Sequence, residues 1–225
     1  MLIQGMKGTF HWLSISLLCV LQLACATDSS KDAQAPPGGT VNQLASVNTQ
    51  LGLGYLRNGQ LQLAWDRLNA AVHADPGYAT AHNGLALAYD QMNQPKKAEE
   101  HFLRAIELNP SDSAAQTNYG AFLCAHGRID EGEKYFMKAV GNPLYNKPAF
   151  AYSNAGMCKL RAKDPAGAAI YFRAALRADP RFSVALMNMA QISFDDPAFL
   201  AARAYMQRYE EVSKHNPRSL WLSIQ

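Results

Sequence analysis

Residues 75–110 read DPGYATAHNGLALAYDQMNQPKKAEEHFLRAIELNP, and their pattern decides the fold. The stretch opens on Asp75-Pro76, closes on Asn109-Pro110, and holds two helical periodicities between them. Leu85, Tyr89 and Met92 stripe the first, and Ala98, Phe102, Ala105 and Leu108 stripe the second, at the three- and four-residue spacings of one helix face. Asn93-Gln94-Pro95 separates the two, and proline opening a helix is the expected punctuation. Pro76 and Pro110 lie 34 residues apart, a period that calls for comparison with the neighbouring sequence.

The same unit recurs on both sides. Asp75-Pro76, Asn109-Pro110, Asn142-Pro143, Asp179-Pro180 and Asn216-Pro217 follow one another at 34, 33, 37 and 37 residues. The first helix of each unit carries a small residue at the crossing: Gly52, Ala86, Gly120, Gly156 and Ala190. The second carries Ala64-Leu68-Ala71, Ala98-Phe102-Ala105, Gly132-Phe136-Ala139 and Ala168-Phe172-Ala175. A small residue lets two backbones approach, and the residues four and three apart form the face that packs back. A lone pair would leave half its apolar surface wet, so the units must stack. The pattern resembles the tetratricopeptide repeat. It predicts an all-α fold, a right-handed superhelical solenoid of five helix pairs plus the start of a sixth at Ser219-Leu220-Trp221-Leu222. Gln225 falls inside that sixth pair, so relatives are expected to continue further.

Ahead of the array the sequence changes character. Lys7 precedes an apolar run from Leu13 to Leu23, too short to span a bilayer, and then Ala24-Cys25. A small residue followed by cysteine at the end of such a run resembles a bacterial lipoprotein signal, in which Cys25 would be lipidated. Gln22 departs from the usual leucine, and Cys19 lies inside the run; a plain cleaved signal is the simpler alternative. Residues 26–40, ATDSSKDAQAPPGGT, have the composition of a tether. The expected division is signal peptide 1–24, tether 25–40 and repeat domain 41–225. Ala26 after the cysteine resembles outer-membrane sorting, with the repeat domain on the oxidising periplasmic face.

Twenty-one basic and 18 acidic residues leave a formal charge of +3, too slight and dispersed for nucleic acid. Gly52, Gly54 and Gly59 follow no strand and carry no dinucleotide loop. His73, His82, His101, His126 and His215 lack metal-ligand spacing and read as solvated side chains. No nucleophile has a paired base, so the sequence predicts no enzyme, cofactor or small-molecule substrate. Cys124 and Cys158 are the twelfth and tenth residues of units three and four, both on first helices. Two positions of offset turn about 200° around a helix, so the two thiols can face one another across adjacent units. Export makes a disulfide the expected pairing, with two buried free thiols as the alternative.

First helices line the inner surface of such an array. Leu53, Leu56, Arg57, Asn83, Leu87, Asp90, Gln91, Ala121, Met157, Leu160, Arg161, Met187 and Gln191 are therefore the candidate groove. An apolar strip with Asn and Arg at its sides suits a peptide segment of a protein partner. Taken whole, the chain resembles the PilF/PilW type of type IV pilus biogenesis and stability lipoproteins. The most specific stretches are Asn118–Cys124, Asn142-Pro143-Leu144-Tyr145 with Pro148, Asn154–Cys158 and Arg218–Leu222. That resemblance implies an outer-membrane pilotin, anchored by its N-terminal lipid, that helps the pilus secretin localise and form its multimeric ring. An envelope adaptor for peptidoglycan hydrolases and a thiol-redox protein using Cys124 and Cys158 are the rival readings.

Overall fold

The computed structural model describes residues 39–213. Ten helices occupy them: α1 (Gly39–Arg57), α2 (Leu61–Ala74), α3 (Ala79–Gln91), α4 (Pro95–Leu108), α5 (Ser113–Ala125), α6 (Ile129–Val140), α7 (Pro148–Arg161), α8 (Pro165–Ala178), α9 (Ser183–Asp195) and α10 (Phe199–Glu210). They pair as the five expected units. Helix α1 takes in Gly39 and Thr40, which the sequence reading gave to the tether. Cys25 and the segment from Pro217 onward lie outside the described residues.

Each unit closes on a large apolar side chain of its second helix. Phe102, Phe136, Phe172 and Leu68 are fully buried at equivalent positions, and Met206 takes the fifth. The crossing glycines make room for them. A Cβ on Gly120 would lie 2.8 Å from Phe136 Cε1, and one on Gly156 2.8 Å from Phe172 Cε1. Removal of each fully buried ring would cost about 3–5 kcal/mol, which is why the small residue and the large one travel together through the sequence.

The turn inside each unit repeats one geometry. Gln60 N donates to Tyr55 O, Gln94 N to Tyr89 O, Arg128 N to Leu123 O and Asp164 N to Lys159 O, all at 2.8–2.9 Å. These bonds satisfy carbonyls left over at the end of the first helix, and in units one to four a left-handed residue one step earlier aims the N–H back. Gly59 (φ 71°), Asn93 (φ 57°), Gly127 (φ 82°) and Lys163 (φ 60°) supply it. In unit five the equivalent residue is Pro197, whose ring forbids positive φ. The bond from Ala198 N to Ser193 O nevertheless persists, at 3.0 Å.

Between units, α1, α3, α5 and α7 touch in succession, while among the described residues the even helices make no comparable contacts with one another. The odd helices are therefore the inner layer of the curve, and α2, α4, α6 and α8 the outer one.

Candidate functional site: the inner face of the array

Counting each unit from Ala45, Ala79, Ser113, Ala149 and Ser183 gives the first helices a common register, and register decides what each side chain does. The twelfth position points at the next unit. Leu56 there is 8% exposed and belongs to the core with Leu68, Leu85 and Tyr89. Asp90 reaches forward to His126 Nε2 at 3.0 Å. Cys124 is joined to Cys158 in a disulfide with Cα atoms 5.6 Å apart, well inside the range a disulfide spans. The three side chains differ in chemistry but share one use, the joint between successive units.

This corrects part of the expected groove. Leu56 offers a partner no surface, because it is consumed by packing against α3. Asn83 is buried at the fifth position, where its Oδ1 accepts from Asn118 Nδ2 at 3.2 Å. Met187, also fifth in its unit, is 6% exposed and packs in the core with Phe172 and Leu186. Arg57, Gln91, Met157 and Arg161 are exposed; Leu53, Leu87, Asp90, Ala121, Leu160 and Gln191 are half-buried. The inner face is thus narrower than expected, centred on the ninth and thirteenth positions.

Sequence reasoning missed two apolar residues at the second position. Phe150 and Val184 occupy it on α7 and α9 and are 54% and 46% exposed, whereas Thr80 and Ala114 stand there in units two and three. Phe150 meets Phe182, the residue capping α9, edge to face at 5.5 Å. A phenylalanine in the first turn of an amphipathic helix reads as core; only the register shows that this position opens inward.

Outside the inner face, acidic side chains pin the units together. Glu99 on α4 accepts from Tyr119 at 2.7 Å and from Arg128, and these bonds hold its carboxyl below the ordinary carboxylate range, the Arg128 bond chief among them. Burial pushes the Glu133 carboxyl up, but Lys159 at 2.6 Å and the Tyr171 hydroxyl outweigh it, and the carboxyl is left low. Burial and that carboxylate push Tyr171 up to about 12.

Two histidines also depart from the solvated reading. His82 is buried, with Nε2 3.1 Å from Pro76 O and Nδ1 2.9 Å from His101 Nδ1. The carbonyl can only accept, so Nε2 carries the proton and His82 Nδ1 accepts from His101. Burial lowers both pKa values below that of free histidine. Among the described residues no three metal-binding side chains converge, and no helix is long and apolar enough to cross a membrane.

Comparison with known proteins accords with this architecture. Models described as tetratricopeptide repeat match residues 49–91, 79–112, 101–134 and 153–217. The chain is 29% identical over 210 residues to the type IV pilus assembly protein PilF of Pseudomonas aeruginosa, covering 93% of this chain and 83% of that one. A solved structure of Pseudomonas aeruginosa PilF superposes with a TM-score of 0.74 at 30% identity, over 82% of this chain and 83% of the other. The crystal structure of PilW, described as a widely conserved type IV pilus biogenesis factor, gives 0.71 at 29% identity, over 80% and 83%. The chain belongs to the tetratricopeptide-repeat family of type IV pilus biogenesis proteins that contains PilF and PilW.

Proposed function

We propose that this chain is an outer-membrane lipoprotein, anchored on the periplasmic face through lipidated Cys25, that acts as a binding scaffold for the type IV pilus secretin and promotes its localisation and multimerisation. The observation that carries the reading is similarity to PilF running through 93% of the chain, so that it spans the joints and the inner face as well as the repeat pattern. A lipid-anchored scaffold has to present one surface without yielding, and the joints favour that. The disulfide, the Glu133–Lys159 pair and the Glu99–Arg128 pair each bridge successive units. Cys124 and Cys158 are 4% and 3% exposed, which supports a structural crosslink over thiol exchange, since exchange needs an accessible thiolate.

Deletion of the gene followed by separation of membrane fractions tests the reading. Secretin should persist as monomer, and piliation should fall. Normal multimers and normal pili in the deletion strain would overturn the secretin role. Cys25→Ser should leave a soluble periplasmic protein that takes up no labelled fatty acid; continued labelling would refute anchoring at Cys25.

A further inference from the structure

Among the described residues the loop between α6 and α7 is the longest connection between helices, yet hydrogen bonds hold it in place. Asn142 Nδ2 donates to Ser111 O at 3.0 Å and lies 3.1 Å from Ser113 Oγ, while Asn142 Oδ1 accepts from Leu144 N at 3.0 Å. Tyr145 OH lies 3.4 Å from the buried Thr117 hydroxyl at the fifth position of unit three, which draws the loop over the inner face. The outcome is an apolar side chain fixed in solvent: Leu144 is 89% exposed. Just beyond stand Phe150 and, on the same helix face two turns on, Met157, 44% exposed. Val184 occupies on α9 the position that Phe150 occupies on α7. Two helical turns span about 11 Å, and the Phe150 and Phe182 rings lie 5.5 Å apart at the start of α9. The patch therefore takes two or three side chains of an incoming segment.

Its border is basic. Lys147 caps the start of α7, Arg181 precedes Phe182, and Arg161 lies one turn past Met157. All three are exposed, and among the described residues none has a side-chain hydrogen bond or ion pair. Paired cations on this chain show what an intramolecular role looks like: Arg104, Arg128 and Lys159 each meet a carboxylate at 2.7 Å or closer. Asp195, the acidic residue at the far end of α9, is engaged by Gln191 at 2.7 Å.

We infer that Phe150, Met157 and Val184, with Leu144 and Phe182 at the rim, dock an apolar peptide segment of a protein partner that carries carboxylates opposite Lys147, Arg161 and Arg181. This rests on the scaffold reading and assigns it a location and a partner chemistry. Apolar contact supplies the area, and the three exposed cations select the sign of the segment.

Two fluorescein-labelled twelve-residue peptides with identical leucine and phenylalanine spacing test it, one with Glu and one with Lys at every polar position. Binding to the purified full chain is read by anisotropy at two salt concentrations. The Glu peptide should bind at least tenfold more tightly than the Lys peptide, and more weakly at the higher salt. Phe150→Ser or Val184→Ser should each lower its affinity about tenfold while the melting temperature falls by no more than about 4 °C. Lys147→Glu with Arg181→Glu should reverse the preference. Equal binding of the two peptides, indifference to both serine variants, or sedimentation showing the patch covered by a second copy would overturn the inference. Failure of the secretin role is read separately, from secretin multimers in the deletion strain, and would leave the peptide result standing.

Discussion

Unit three breaks the repeat at Gly132, where units one, two, four and five carry Ala64, Ala98, Ala168 and Ala202, and the disulfide explains the exception. A Cβ on residue 132 would fall on the Cys124 sulfur and 2.7 Å from Gly120 O. The sulfur is fixed by Cys158 and the carbonyl by its helix, so neither can withdraw cheaply. Gly132→Ala should therefore cost about 1–3 kcal/mol, the usual penalty for an extra methyl in a filled core. Replacing both cysteines with alanine should cost about 3.8 kcal/mol, from a 34-residue separation in the chain-entropy treatment. In that background the sulfur is gone, and α5 and α6 can move apart towards the crossing of unit one, where a Cβ on Gly52 would lie 3.2 Å from Ala64 O. Gly132→Ala should then cost under about 1 kcal/mol, which leaves a coupling of about 1–2 kcal/mol between the two sites. Urea unfolding of the four proteins, followed by far-UV circular dichroism, measures the cycle. If Gly132→Ala costs the same with and without the cysteines, within about 0.5 kcal/mol, the glycine is not there for the disulfide.

Other consequences are open to measurement. Lys163 holds the left-handed turn position that Gly59 and Gly127 fill elsewhere; Lys163→Gly should raise stability by about 0.5–1 kcal/mol, read as a higher melting temperature. Phe102→Ala should cost about 3–5 kcal/mol by denaturant titration, because the ring is fully buried. The His82–His101 pair sets a pH dependence. Both groups titrate below their unfolded value, so the folded protein binds fewer protons between the two. Their contribution is complete above about 6.5 and is lost as pH falls through that value towards the lower folded one. His82→Gln, which can still reach Pro76 O as Gln116 reaches Pro110 O at 2.6 Å, should flatten that part of the melting-temperature profile.

The helix pairs were legible because they depend on local signals that repeat. A closing proline, a small crossing residue and an apolar side chain sixteen residues on survive in every unit, whatever the surface does. The disulfide was legible from an angular offset between two residues on neighbouring, nearly parallel helices. What sequence could not separate was inward from forward. Leu56 and Met187 satisfy the same helical periodicity as Met157, yet they are spent on the next unit or on the core, since the curvature of the array turns some inner positions towards a neighbour. Asn83 looked available as a polar groove residue, and its partner Asn118 belongs to a different unit, 35 residues away. The exposure of Phe150 was hidden for the opposite reason: hydrophobicity argues for burial, and only the stacked helices show that, among the described residues, the second position is exposed.

The distribution of joints bears on where a partner can act. Between units two and three the contact includes Asp90–His126 and Glu99–Arg128, and between three and four it includes the disulfide and Glu133–Lys159. At the equivalent of Glu99 and Glu133, unit four has Ala169, which is buried among apolar neighbours. Leu160, at the position of Asp90 and Cys124, packs into the same apolar core with Phe182 and Met187. Apolar packing and the bond from Arg208 Nη2 to Pro180 O at 2.8 Å join units four and five. Ion pairs and the disulfide fix an angle by their direction, and close-packed apolar surfaces fix it by their shape. Phe150 on α7 and Val184 on α9 straddle that joint. A segment that seats on both would bridge units four and five and add its own contacts to that joint.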